Sequence, residues 1–154
     1  MKHSPLQLVR YLVTETNYSA NPNFKPDKDW VGAIENFSVE STVNRLAAEK
    51  DFPGHSWSVE MVISQKLQGE QNFPYKFQVN LVGMFACNDK AFDEEKENAF
   101  VRVNGSSMLY GIAREIVRSL TAAGPWGQIV LPTISFYDNE AKPKEQSAPV
   151  PKAD

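Results

Sequence analysis

One cysteine, two histidines and the lack of any long apolar run set the first limits on this 154-residue chain. Cys87 alone cannot close an intramolecular disulfide, so a reducing compartment, the cytoplasm, is the simplest setting. No stretch approaches the roughly 20 apolar residues that span a bilayer, and membrane insertion is not expected. The opening MKHSPLQLVRYLV lacks a signal-type apolar core followed by a small-residue cleavage site. Basic clusters are missing too: 16 Lys and Arg stand against 19 Asp and Glu, and their even spread disfavours nucleic acid as a partner. Phosphate-loop, GxSxG and HExxH patterns are absent. His3 and His55 lie far apart, with no Cys or His at metal-ligand spacing, so no metal, cofactor or catalytic set is expected. A Cys87–His55 dyad is conceivable, but Cys87 reads better as a small core residue at a strand end. The acidic run DEEKEN, from Asp93 to Asn98, could be a cation site. It reads better as a solvated helical turn with acids at its start, and paired carboxylates such as Asp93 and Glu97 are better explained by solvation.

The length fits one domain with a sizeable core. Leu6 to Tyr18 is rich in Leu, Val, Thr and Tyr and suits a strand. NPNFKPDKDW, from Asn21 to Trp30, breaks it into an exposed loop, in which Phe24 and Trp30 need a surface to rest on. Strand character resumes at Ile34 to Leu46, where Phe37, Val39, Ser41 and Val43 share a face. After a turn region at Ala47–Gly54, Ser56 to Leu67 alternates, with Trp57, Val59, Met61 and Ile63 on one side. Gln68 to Asn72 reads as a hairpin connection, and Tyr75 to Cys87 alternates again. Four strands with mostly short links imply an antiparallel sheet with one buried face. Leu109, Ile112, Ala113, Ile116, Val117 and Leu120 form an apolar stripe on a helix from Ser106 to Ala123. Asn104 or Ser106 suits its N-cap, Gly124 a left-handed C′ position, and Pro125 forbids continuation. Gln128 to Phe136 is extended again, and Pro132 keeps it from a central strand position.

These pieces resemble the protein-export chaperone SecB family. The resemblance rests on LVRYLVTETNYSANP, the KDW of the loop, the GMF strand end, and MLYGIAREIVRSLTAAG followed by LPTISF. It runs from about Leu6 to Phe136 and implies an α+β fold, a four-stranded antiparallel sheet with one long helix packed on it. It further implies a homotetramer built as a dimer of dimers, and an ATP-independent holdase with no active site that binds unfolded chains in apolar grooves. Phe24 and Trp30 would wall such a groove, with Ile34, Phe37 and Val39 as its floor and Tyr110 and Phe136 nearby. A loop stapled to its own sheet by the two aromatics explains Phe24 and Trp30 as well. Leu109, Ile112, Ile116 and Leu120 would meet a neighbouring subunit, unless the whole stripe is core. The chaperone domain is taken as residues 1–138, and the Pro-, Lys- and Glu-rich residues 139–154 as a disordered tail.

The chain departs from the export-type pattern in two places. Where those proteins carry an acidic patch that docks the translocase motor ATPase, this chain has Glu15, Ser19, Lys76 and Gln78. The final helix and any zinc-binding tail are also missing, which puts motor docking in doubt. The clients would be preproteins or, in a dedicated role, an unstable antitoxin of a toxin–antitoxin pair. A small-ligand carrier using the same cleft is the alternative from another class.

Overall fold

Alternating apolar residues build the sheet from its centre outward. In the computed structural model, β3 (His55–Gln65) and β4 (Tyr75–Cys87) pair antiparallel, from His55↔Cys87 to Gln65↔Phe77. One face carries Trp57, Val59, Met61 and Ile63 from β3 and Tyr75, Phe77, Val79, Leu81 and Phe85 from β4, all buried. β2 (Ser38–Arg45) adds to β3, and β1 (Leu6–Ala20) to β4, giving the order β1-β4-β3-β2. The structure describes residues 1–34, 36–47, 54–66 and 72–137. Most of the expected turn at Ala47–Gly54, the hairpin connection after Leu67 and the tail 139–154 lie outside the described residues.

β1 is long but irregular. Its register slips between Leu8 and Arg10 and again between Val13 and Glu15. Each slip adds a residue and re-aims the side chains that follow. Leu8 opposes Phe85 on the buried face, whereas Arg10 opposes Met84 on the other.

One helix, α1 (Glu94–Thr121), covers the apolar face. It starts at Glu94 rather than Ser106, because Asp93 is the N-cap: its carboxylate accepts from the Lys96 amide at 2.9 Å, and Glu94, Glu95 and Glu97 follow in the first turn. Acids there complement the helix dipole. The expected caps are interior instead: Asn104 donates to the Phe100 carbonyl, and the Ser106 and Ser41 hydroxyls meet at 2.7 Å. Val101, Gly105, Leu109, Ala113, Val117 and Thr121 are buried on the sheet side. α1 can lie this close because Gly83 leaves β4 bare beneath it. A Cβ at Gly83 would stand 2.8 Å from Leu109 Cδ2 and 2.7 Å from Phe85 Cε2.

The helix ends differently from expectation. The C-cap is Ala122 at φ −58°, and Gly124 is not left-handed; the positive φ falls at Gly127, at 75°. Gly124 is bare because a Cβ would strike the Tyr75 hydroxyl, which accepts from the Trp126 amide and donates to the Gly127 carbonyl. The chain then runs extended and meets the β1–β2 crossover in a parallel bridge, Ala33↔Val130, with the Val130 amide on the Gly32 carbonyl at 2.9 Å. Ile129 and Leu131 close the core there. Because β1 and β2 are opposite edges, the crossover must span three strand gaps, about 14 Å. Among the described residues no helix is long and apolar enough to cross a membrane.

Candidate functional site

Two aromatic groups organise the face where the crossover meets α1. In the first, Phe24 lies edge-on to Trp30, with ring centroids 5.1 Å apart, and to Trp126 at 5.3 Å. The Trp126 indole donates to the Asn21 carbonyl at 2.9 Å, which ties the Pro-rich loop to the chain after the helix. Phe24 is only 6% exposed, so it acts as the staple, while Trp30 stays half-buried with a face to offer. In the second group, Phe37 stacks on Tyr110 at 6.5 Å and Tyr110 meets Phe136 edge-on at 5.9 Å. The Tyr110 hydroxyl donates to the Pro132 carbonyl at 2.6 Å, and Arg114 Nε donates to that of Leu131 at 2.9 Å. These bonds fix the closing segment along α1.

The residues expected to form a groove therefore fall into two ranks. Trp30, Phe37 and Val39 are half-buried at the surface; Phe24, Ile34, Tyr110 and Phe136 are buried behind them. Val31, 82% exposed, and Val130 extend the apolar rim; no local pattern marks either, because the bridge that brings Val130 to the crossover, at Ala33, is long-range. The helix stripe divides in the same way. Leu109 is fully buried on Gly83 and has no surface left for a partner, whereas Ile112, Ile116 and Leu120 are half-buried.

A polar cluster sits at the other end of the helix. Glu97 is 1% exposed, against the expectation of a solvated run. Its carboxylate accepts from the Trp57 indole and lies 2.8 Å from His55 Nδ1. The carboxylate thus secures the first turn of α1 to β3. Cys87 is His55's register partner and is buried. Burial, with Glu97 and Asp89 adding to it, pushes the Cys87 thiol up to about 11. The folded chain thus favours the thiol while the unfolded chain ionises from 9.0 upward, so stability should fall as pH rises between those values. Native protein should resist iodoacetamide at mildly alkaline pH and react on unfolding in urea; alkylation of native protein at a free-thiol rate would contradict this burial.

On the uncovered face of the sheet, Glu15, Asn17 and Ser19 stand opposite Asn80, Gln78 and Lys76. The Glu15 carboxylate accepts from Asn17 at 2.9 Å, from Asn80 at 3.1 Å and from Gln78 at 3.4 Å. Three amides thus surround one carboxylate, and Lys76 lies on the same face.

One antiparallel sheet, one long helix across it and a clasped crossover define an α+β fold of the SecB-like type. The chain belongs to the SecB family: the family model described as Preprotein translocase subunit SecB matches residues 34–143. Proteins of that family are chaperones, not enzymes. The fold is similar to that of a solved Mycobacterium tuberculosis SecB-like chaperone in complex with a ChAD peptide from the HigA1 antitoxin, at 16% identity and a TM-score of 0.53, covering 84% of this chain and 90% of that one. It is also similar to a Streptococcus agalactiae protein of unknown function, at 12% identity and a TM-score of 0.54, covering 83% and 97%. Among curated proteins nothing matches.

Proposed function

We propose that this chain is an ATP-independent, cytoplasmic holdase that binds non-native polypeptide along the aromatic surface of Trp30, Phe37 and Val39, in a homotetramer built as a dimer of dimers. The observation that carries the reading is the convergence of Phe37, Tyr110 and Phe136 beside the open edge of β2, in a chain of the SecB family. An extended client would gain roughly 25 cal/mol per Å² of apolar surface removed from water, without demanding a particular sequence.

Two unpartnered features support assembly. β1 is an edge strand of 15 residues, with Tyr11, Leu12, Val13 and Tyr18 each exposed by 39% or more. Long apolar edges invite pairing unless they are covered. Ile112, Ile116 and Leu120 add half-buried apolar surface on α1. Size-exclusion chromatography with light scattering tests this, and a strict monomer at micromolar concentration would remove the assembly from the reading.

A dedicated antitoxin client is the second reading. It is supported by the antitoxin-peptide complex of the similar Mycobacterium tuberculosis protein and by Lys76, a base paired with Ser19 on the sheet face where export-type members carry acids. High-affinity binding of the translocase motor would argue for general export instead.

Trp30→Ala and Phe37→Ala should each weaken an unfolded client by about tenfold while the protomer stays folded, because both side chains are surface anchors. Phe24→Ala should instead cost about 3 kcal/mol of stability, since its ring fills the space between Trp30 and Trp126. Aggregation suppression of a reduced client, run beside circular dichroism, separates the two outcomes. Equal loss of folding in all three variants would make every aromatic a staple.

A further inference from the structure

The open face of Trp30 is held from behind by contacts that end in the sheet. Trp30 donates its indole N–H to the Trp126 carbonyl at 3.5 Å and rests on Phe24, which also meets the Trp126 ring. Trp126 therefore supports both. Its amide donates to the Tyr75 hydroxyl at 3.0 Å, and that hydroxyl donates in turn to the Gly127 carbonyl at 2.8 Å. One residue thus separates the phenol of β4 from Trp30. Among the described residues, Tyr75 makes the only hydrogen bonds that the sheet gives the turn from Gly124 to Gly127. The crossover side is fixed separately. The Asn21 carbonyl accepts from the Phe24 amide at 3.2 Å and from the Trp126 indole at 2.9 Å, while Asn21 itself donates to the carbonyls of Phe73 and Pro74.

Tyr75 is fully buried, and a buried hydroxyl is costly unless it is hydrogen-bonded. A phenylalanine ring would fill the same space without that demand. The turn also forgoes a side chain for the hydroxyl, since a Cβ at Gly124 would collide with it. We infer that Tyr75 is a positioning residue for client binding: its hydroxyl fixes the Trp126 backbone, and Trp126 with Phe24 presents the Trp30 ring to the client. Tyr75 itself never meets the client. The inference rests on the holdase reading and deepens it, by placing control of the Trp30 anchor in a buried residue of β4. A preset platform avoids the ordering cost that a mobile anchor would bring to binding.

Tyr75→Phe removes the oxygen and keeps the ring. The turn is open to water, with Gly127 exposed and Trp126 half-buried. The amide and carbonyl set free can therefore turn to solvent, and the urea unfolding midpoint should shift little. The Trp30 anchor should loosen. Anisotropy of fluorescein-labelled, reduced and carboxymethylated lactalbumin, titrated with the full chain, should show roughly fivefold weaker binding. Acrylamide should quench tryptophan fluorescence more strongly, because Trp30 and Trp126 gain freedom while Trp57 stays buried. Paired variants decide the route. In a Trp30→Ala chain, Tyr75→Phe should weaken the client no further, whereas in a Phe37→Ala chain it should add its full effect. Wild-type affinity in Tyr75→Phe, a loss of affinity in step with stability, or an equal further loss in the Trp30→Ala chain would each overturn the positioning role and leave the holdase intact. If Trp30→Ala itself binds the client as wild type does, clients do not bind on the Trp30 surface, and this proposal falls with that reading.

Discussion

Trp57→Ala should destabilise the protomer by about 3–5 kcal/mol, a large fraction of what holds a domain this size together. Trp57 is 1% exposed in the central strand β3, paired in register with Phe85, and its removal leaves a cavity under the first half of α1. The same substitution takes away an indole N–H from Glu97, whose carboxylate is equally buried and keeps only His55 as a partner. Trp57→Phe separates the two contributions. It keeps most of the volume but drops the donor, so it should cost about 1–3 kcal/mol through the under-bonded carboxylate. Urea denaturation of the three proteins measures both terms. If Trp57→Phe unfolds with wild-type stability, the Glu97 bond contributes nothing and the helix start is held by packing alone.

Gly83→Val should lift α1 from the sheet, at a cost of about 1–3 kcal/mol or more. A Cβ alone would already crowd Leu109 and the Phe85 ring, and valine adds two methyl groups beyond it. Raising the helix also pulls Ser106 from Ser41 and Tyr110 from Phe37, so client affinity should drop along with stability. The cause can be isolated with a second change. Leu109→Ala opens space where the valine intrudes, so the double variant should be less destabilised than the two single effects combined. Simple additivity would show that the clash lies elsewhere.

The sequence made the centre of the sheet legible, and its edges less so. Period-two alternation placed β4 at Tyr75–Cys87 and β3 within a residue or two of its ends, because both strands are buried on one face along their whole length. β1 showed β-rich composition without clean alternation, and its two register slips account for that. The helix start was missed because its first turns carry acids outside and Glu97 inside. Nothing local marks Glu97 as interior, since its partners His55 and Trp57 are about 40 residues away in the chain. The aromatic surface was half legible. Phe37, Tyr110 and Phe136 do converge, but which of them is exposed depends on the closing segment, whose bridge to Ala33 no spacing rule foretells. Gly124 was read as a helix stop for its backbone freedom, whereas it makes room for a tyrosine ring from β4.

The strand order has a consequence for synthesis. β1 is made first but pairs with the last strand, so Ala20 waits for Tyr75 and Leu6 for Cys87. At about 5–20 residues per second, ribosomal elongation leaves β1 exposed for several seconds before its partner emerges. Through that interval Tyr11, Leu12 and Val13 present the kind of extended apolar segment that a holdase captures. Under the holdase function proposed above, the newborn protomer is a client of its own finished form, and mature copies should raise the soluble yield of new ones in cell-free translation.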